Sequence, residues 1–106
     1  MARDHLGRFE HLLLLAVLRL GEEDAYGMTI RRELARHTGR EIAVGAIYTA
    51  LARLETRGLV QSKLGEPTAE RGGKAKRFYR VLPAGKKAVA KAQSILLGLA
   101  RDVERS

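Results

Sequence analysis

Apolar residues recur every three or four positions in three stretches of the first 60 residues, a spacing that predicts amphipathic helices. We expect these helices over residues 6–20, 24–37 and 44–57. The first is apolar around most of its circumference, because the run from Leu12 to Leu18 contains no polar side chain. Such a helix must be covered on more than one side. In so short a chain, we expect a second subunit to provide part of that cover.

The second and third helices are separated by a short turn that contains glycine. Asp24 is suited to cap the second helix, because its carboxylate can accept hydrogen bonds from the free N–H groups of the first turn. Gly39 suits the left-handed turn that ends this helix. In the third helix Ile47, Leu51 and Leu54 form the stripe that we expect to be buried. Two helices joined in this way are typical of a helix-turn-helix.

Two strand candidates follow, over residues 59–64 and 76–82. The segment between them, residues 65–75, contains three glycines and a proline, which predicts a hairpin tip. Pro83 ends the second strand and begins a last helix over residues 84–104. The fold class is therefore mainly α with a small β hairpin. Three helices followed by a basic hairpin indicate a winged helix-turn-helix, whose third helix lies in the DNA major groove.

The last helix carries apolar residues at alternating spacings of three and four, the pattern of a coiled-coil seam. Packing of this face on its own domain is the alternative. We accordingly divide the chain into a winged helix-turn-helix DNA-binding domain, residues 1–83, and a C-terminal dimerisation helix, residues 84–106. The predicted dimer interface combines apolar residues of the first and last helices: Leu14, Leu15, Leu18, Val89, Ala92, Leu96, Leu99 and Val103.

The whole chain has a net charge of +8, and its basic residues are concentrated in the second half. Residues 1–60 contain nine basic and eight acidic residues, whereas residues 61–106 contain eleven and four. Between Glu70 and Asp102 there is no acidic residue. A solvated face would explain this run, and so would attraction to a polyanion, of which nucleic acid is the commonest.

Several classes of function are disfavoured by what the chain lacks. It has no cysteine, and its three histidines are too far apart in sequence for a metal motif. It has no glycine-rich phosphate loop and no pair of carboxylates at catalytic spacing. Its longest apolar run has seven residues, whereas a span of the bilayer needs about 20. We expect a cytoplasmic protein that is not an enzyme and has no metal, cofactor or membrane partner.

Three stretches of the chain resemble the PadR family of bacterial transcriptional regulators. They are YGMTI at residues 26–30, GAIYTALARLETRGLV at 45–60 and GGKAKRFYRVLPAG at 72–85. The resemblance covers about residues 10–90, and the single last helix resembles the compact branch of the family. It implies a homodimer that is built on the first and last helices and binds an operator, usually to repress a promoter. Ala43 stands where a small polar residue is common, so the third helix lacks a side-chain cap.

The predicted DNA-binding residues lie on the third helix and the wing: Gly45, Ala46, Tyr48, Thr49, Arg53, Lys74, Lys76 and Arg77. The three wing cations are expected to contact phosphate, which positions the protein without reading sequence. Thr49 is placed to touch a base edge and Arg53 to meet phosphate. Tyr48 would either reach phosphate or pack against the second helix.

These features predict a sequence-specific regulator, a repressor that binds double-stranded DNA at a pseudo-palindromic operator as a homodimer. The alternative is a winged-helix module that binds an acidic protein partner without DNA. An RNA-binding protein is disfavoured because the aromatic residues have better explanations in the core. The resemblance also implies a small-molecule effector of unknown identity. Its pocket would be lined by Leu14, Leu18, Ile95 and Leu99, which are equally explained as dimer core.

Overall fold

The computed structural model describes residues 5–66 and 75–105. These residues form four helices and a two-stranded antiparallel sheet: α1 (Arg8–Leu20), α2 (Gly27–Thr38), α3 (Val44–Thr56), β1 (Val60–Leu64), β2 (Arg77–Val81) and α4 (Pro83–Arg105). The order and type of these elements confirm the predicted fold class. Within the described residues, no helix is both long enough and apolar enough to cross a membrane.

The central helix of the fold is α1, which contacts α2, α3, α4 and β2. Leu13, Leu14 and Val17 are at most 1% exposed. Most of α1 is therefore covered by its own chain. A second subunit can cover only the side of α1 that these four elements do not contact. Leu18, which is 38% exposed, lies on that open side.

The buried stripe predicted for α3 is confirmed, since Ile47, Leu51 and Leu54 are fully buried. In α2, Ile30 and Leu34 are at most 3% exposed. The left-handed conformation predicted at the end of α2 is also present, at Gly39 with φ +72°. The two helices pack against each other and against α1. This packing leaves the opposite side of α3 exposed to solvent.

The start of α2 differs from the prediction. The helix begins at Gly27, three residues after Asp24, and Tyr26 occupies the capping position. The Tyr26 N–H donates to Thr29 Oγ1 at 3.0 Å, and the Thr29 hydroxyl donates to the backbone carbonyl of Asp24. The prediction that the Asp24 carboxylate caps α2 is wrong because Asp24 belongs to the preceding turn, where its N–H donates to the Gly21 carbonyl.

The hairpin register determines which side chains face the core. Val60 pairs with Val81, Ser62 with Tyr79 and Leu64 with Arg77. Because side chains alternate across a strand, Val60, Tyr79 and Val81 are buried while Lys63, Phe78 and Arg80 lie on the other face. Residues 67–74, which make up most of the predicted hairpin tip and include the predicted contact residue Lys74, lie outside the described residues.

The last helix is docked at its first half only. Gly85, Ala88 and Val89 are buried against the body of the molecule. The helix packs so closely that a Cβ atom on Gly85 would lie 2.3 Å from the backbone oxygen of Leu59. The second half extends beyond the body and contributes to a longest dimension of 58 Å. Its apolar side chains are 54–73% exposed: Ile95, Leu96, Leu97, Leu99 and Val103.

Candidate nucleic-acid interface

The exposed face of α3 consists mainly of small side chains. Gly45, Ala46, Thr49 and Arg53 are all exposed, as predicted. Ala43 is the residue before the helix and makes no side-chain capping bond, which confirms the expectation from the sequence. A helix face without bulky side chains can enter a DNA groove closely, and the first turn of such a helix is the part that meets base edges.

Tyr48 packs against the start of α2 and remains 44% exposed. A Cβ atom on Gly27 would lie 2.1 Å from the Tyr48 Oη atom, so the glycine provides the space for the phenol ring. The hydroxyl thus lies at the first turn of α2. This position accommodates both roles considered for Tyr48, since the ring packs on α2 and part of it still faces solvent.

The wing contacts the same end of α2. The Lys76 Nζ atom lies 4.3 Å from the centre of the Tyr26 ring, within cation–π distance. The Tyr26 ring in turn meets Phe78 edge to face, with ring centres 5.4 Å apart. Lys76 is exposed. These contacts place a basic side chain of the hairpin beside the helix-turn-helix, an arrangement that the sequence did not reveal.

Arg77 is held by a chain of hydrogen bonds that crosses from the hairpin to α3. Its Nη1 atom donates to Ser62 Oγ at 3.0 Å. The Ser62 N–H donates to Glu55 Oε2 at 3.1 Å, and the Ser62 hydroxyl lies 3.0 Å from both carboxylate oxygens. Nearby, burial raises the pKa of the Tyr79 hydroxyl, an effect that the positive charge of Arg77 opposes and the negative charge of Glu55 reinforces.

Five of the eight predicted DNA-binding residues line two concavities. Tyr48, Lys76 and Arg77 line a concavity of about 590 Å³ between the start of α2 and the hairpin, together with Tyr26, Met28 and Leu64. Thr49 and Arg53 line a second, shallower concavity of about 590 Å³ between α3 and the start of α1. The structure therefore brings Tyr48 of α3 together with the wing residues Lys76 and Arg77, whereas Thr49 and Arg53 lie at the second concavity.

A contact that the sequence analysis missed connects the end of α3 to the start of α1. The Arg57 guanidinium lies 3.1 Å from a Glu10 carboxylate oxygen and donates to the His5 carbonyl at 2.7 Å. Glu10 also accepts a hydrogen bond from the Gly7 N–H at 2.9 Å, which caps α1. The partners lie more than 40 residues apart in sequence, so no local pattern indicates the pairing.

A second missed cluster is formed around Glu33 on α2. This buried carboxylate pairs with Arg19 of α1 and with Arg36 and His37 of its own helix. Burial on its own would raise the pKa of Glu33. The hydrogen bond and charge of Arg36, helped by His37 and Arg19, nevertheless hold it below its usual value near 4.5. The cluster joins the ends of α1 and α2 and so supports the helix-turn-helix.

The residues predicted for the dimer interface lie in different environments. Leu14 and Val89 are 0% and 6% exposed within the single chain. Leu15 and Ala92 are half-buried, whereas Leu18, Leu96, Leu99 and Val103 are exposed. The surface that is free for a partner is therefore the second half of α4 and the adjoining side of α1. Leu14 and Val89 can support this surface only from beneath.

A groove of about 600 Å³ runs between α1 and α4, where an effector pocket was expected. Its walls include His11, Leu12, Leu15, Ile95, Leu96 and Leu99. Two of the four residues predicted to line the pocket are therefore present, Ile95 and Leu99. Leu14 does not line the groove because it faces the core, and Leu18 lies outside the lining too. Among the described residues, no group of three acidic, histidine or cysteine side chains could hold a metal ion.

Three comparisons with known proteins agree with this architecture. A winged helix-turn-helix with a basic hairpin beside its third helix defines a class of DNA-binding regulators. Residues 14–91 match the family described as the transcriptional regulator PadR-like family. The chain is 35% identical over 82 residues to the transcriptional regulator Rv3488 of Mycobacterium tuberculosis, an alignment that covers 77% of this chain and 72% of that relative.

Solved structures show the same fold. The protein TA0346 from Thermoplasma acidophilum superposes with a TM-score of 0.68 at 26% identity, and the match covers 93% of each chain. A PadR family transcriptional regulator from Eggerthella lenta superposes with a TM-score of 0.68 at 28% identity, covering 89% of this chain and 79% of that one. The chain belongs to the PadR-like family of transcriptional regulators, which confirms the resemblance. Members of this family bind DNA and are not enzymes.

Proposed function

We propose that this protein is a repressor that binds a pseudo-palindromic operator as a homodimer. The observation that carries the proposal is that α3, whose exposed face has mainly small side chains, shares a concavity through Tyr48 with the exposed hairpin cations Lys76 and Arg77. Thr49, one turn into the helix, reads a base edge or a thymine methyl group. Lys76 and Arg77, together with Lys74, bind phosphate and set the register of the protein on the duplex. The protein acts on DNA in the cytoplasm.

The homodimer is supported by the exposed apolar face of α4. Leu96, Leu99 and Val103 are 58%, 63% and 73% exposed and follow one another at heptad spacing. A single-chain protein rarely exposes such a continuous apolar patch without a partner. We assign the groove between α1 and α4 to the dimer core rather than to an effector pocket, because Leu96 and Leu99 line the groove and also belong to this seam. Two recognition helices about 34 Å apart would then contact successive turns of DNA.

The charge on the wing is tested by mobility-shift titration of the promoter region of the gene and of random duplex DNA. We expect the affinity of the wild-type protein for both to fall steeply between low and high salt, because phosphate-bound cations are released. The double substitution Lys76→Ala with Arg77→Ala should weaken binding to both duplexes by a similar factor, roughly 10-fold or more. It should also reduce the slope of log K against log salt concentration.

The matched control removes the same charge from exposed positions of α4, Lys86→Ala with Lys87→Ala. If the control loses as much affinity as the wing variant, positive charge acts without regard to place and the wing contact is refuted. If the wild-type protein binds neither duplex, the alternative of a module for an acidic protein partner is favoured instead. A promoter fusion in cells that lack the gene tests repression, since expression should rise when the protein is absent.

The substitution Thr49→Ala tests whether this residue recognises a DNA base. We expect this variant to lose roughly 5- to 100-fold in affinity for the operator, the range for one base contact, with little change on random DNA. Thr56→Ala is the control, because Thr56 lies on the same face two turns later and its hydroxyl is already bonded to the Ala52 carbonyl at 3.0 Å. Equal losses on the two duplexes for Thr49→Ala would refute the assignment of Thr49 to a base.

A further inference from the structure

An acidic side chain lies beside the proposed DNA-binding surface of this basic protein. Glu55 is exposed on the last turn of α3, seven residues after Tyr48. Two helical turns separate the two residues, so they share one side of the helix, the side that faces the hairpin. A carboxylate at this place repels the phosphate backbone. Electrostatics alone therefore gives no reason for its presence in an interface that binds DNA.

The contacts of Glu55 supply a reason. Its carboxylate accepts hydrogen bonds from both the backbone N–H and the hydroxyl of Ser62, at 3.1 Å and 3.0 Å. Ser62 lies on β1, so the pair joins the recognition helix to the hairpin independently of the apolar core. The hydroxyl of Ser62 also accepts a hydrogen bond from Arg77 of β2 at 3.0 Å. One carboxylate thus reaches the wing cation through a single intervening residue.

The bond to Ser62 uses one of the five guanidinium N–H groups of Arg77. The other donors can face a phosphate while the side chain is held in one orientation. An arginine that is fixed before binding loses less conformational freedom when it meets DNA. The repulsion between Glu55 and phosphate, by contrast, acts through solvent and is screened by salt over about 8–10 Å. Glu55 therefore affects binding in two opposite ways, and we take the positioning effect to be the larger.

We infer that Glu55 is a positioning residue for DNA binding, which fixes the angle between α3 and the hairpin and orients Arg77 through Ser62. The inference rests on the proposed function, because it assumes that Arg77 contacts DNA. It makes a prediction opposite in sign to simple electrostatics. Removing a negative charge beside the interface should weaken binding rather than strengthen it.

The test is a double-mutant cycle on operator DNA with Glu55→Ala, Arg77→Ala and both together. We expect Glu55→Ala to weaken binding about 5-fold, the net effect of one ordinary hydrogen bond. Arg77→Ala should weaken it by at least as much. The double variant should equal Arg77→Ala within about twofold, because residues of one network are not additive. Glu55→Ala should also lower the salt slope, as Arg77→Ala does, which a purely structural role would not do.

Three further variants make the test specific. Glu55→Gln keeps an oxygen acceptor for Ser62 and should stay within about threefold of the wild type. Ser62→Ala breaks the link to Arg77 but leaves the bond between the Ser62 N–H and Glu55, and it should weaken binding as Glu55→Ala does. Glu41→Ala is the control for charge, because the Glu41 side chain is 84% exposed just before α3 and pairs with Arg31 instead. Thermal unfolding of each variant checks that the fold is intact.

The outcomes separate the inference from the function on which it rests. If Arg77→Ala weakens binding while Glu55→Ala does not, or if the two effects add, Glu55 does not act through Arg77 and the inference is overturned. Tighter binding by Glu55→Ala, equal to that of Glu41→Ala, would have the same meaning. If Arg77→Ala itself leaves binding unchanged, the proposed wing contact fails.

Discussion

The two ends of α4 carry similar apolar sequences in opposite environments. Val89 is 6% exposed, whereas Val103, fourteen residues later on the same side of the helix, is 73% exposed. The first half of the helix packs on α1 and the hairpin. The second half extends past them, and no other described part of the chain covers its apolar face. Heptad spacing therefore indicates which side chains will be covered, but it does not indicate what will cover them.

This difference shows which surface of α4 a partner must cover. In the covered half, the chain completes its own core and leaves α3 free to face DNA. In the bare half, the pattern continues where the body of the molecule ends. We expect a second copy to cover it, and variants at the two ends of α4 should then have separate effects, the outer ones on assembly and the inner ones on folding.

The largest effect is expected from charges placed in the bare half. Leu96→Glu with Leu99→Glu should produce monomers at micromolar concentration, because burying carboxylates in an apolar seam is costly. Loss of the dimer removes simultaneous contact with two half-sites, so operator affinity should fall roughly 100-fold or more. Sedimentation equilibrium measures the first effect, and a mobility shift measures the second.

The control for this variant is Leu97→Glu. Leu97 is 54% exposed, close to the value for Leu96, but it lies about 100° away around the helix. It should leave the dimer intact. A variant with charges at Leu96 and Leu99 that stays dimeric would move the interface away from this seam, and the exposed face of α4 would need another explanation.

The order of elements could be predicted from the sequence, because helix stripes and turn residues are local signals. Ile47, Leu51 and Leu54 are buried as their spacing requires, and Gly39 ends α2 as expected. The sequence could not predict which part of the molecule covers each apolar side chain. Its place in a leucine run predicts that Leu14 lies in the dimer interface. In the structure, the chain's own helices and hairpin cover it entirely.

The same limit applies to the candidate site. Thr49 and Arg53 follow from helical periodicity, since they lie opposite the buried stripe. The hydrogen bonds among Glu55, Ser62 and Arg77 depend on the hairpin register and on the angle at which the hairpin meets α3. Neither the register nor the angle can be predicted from the spacing of apolar residues within one helix or strand. These contacts were therefore missed.

In the covered half, Gly85→Ala should strongly destabilise the fold. The added Cβ atom would lie 2.3 Å from the Leu59 carbonyl oxygen and 2.7 Å from Val81 Cγ1. The first of these is a backbone atom that cannot move aside cheaply, so we expect a loss of about 1–3 kcal/mol in the free energy of unfolding. Urea denaturation measures it. An unchanged midpoint would mean that α4 docks less closely than the structure indicates.

A smaller effect should distinguish Val89 from Val103. Val89→Ala removes buried methyl groups and should lower the free energy of unfolding by about 1–2 kcal/mol. Val103→Ala should leave the unfolding of a dilute, monomeric sample nearly unchanged and weaken the dimer instead. Denaturation at two protein concentrations distinguishes these effects. If both substitutions destabilise the monomer equally, the outer half of α4 is covered by its own chain.

The smallest effect is expected at Gly98, in the bare half of the same helix. A Cβ atom there would meet no atom of the chain within 4 Å, and glycine inside a helix costs about 1 kcal/mol relative to alanine. Gly98→Ala should therefore stabilise the protein by up to about 1 kcal/mol, a rise of a few degrees in Tm. Because Gly98 lies about 200° around the helix from Leu96, the dimer and its operator affinity should be unchanged. A weaker dimer would place the partner's backbone against Gly98, on the side of α4 opposite to the seam at Leu96 and Leu99.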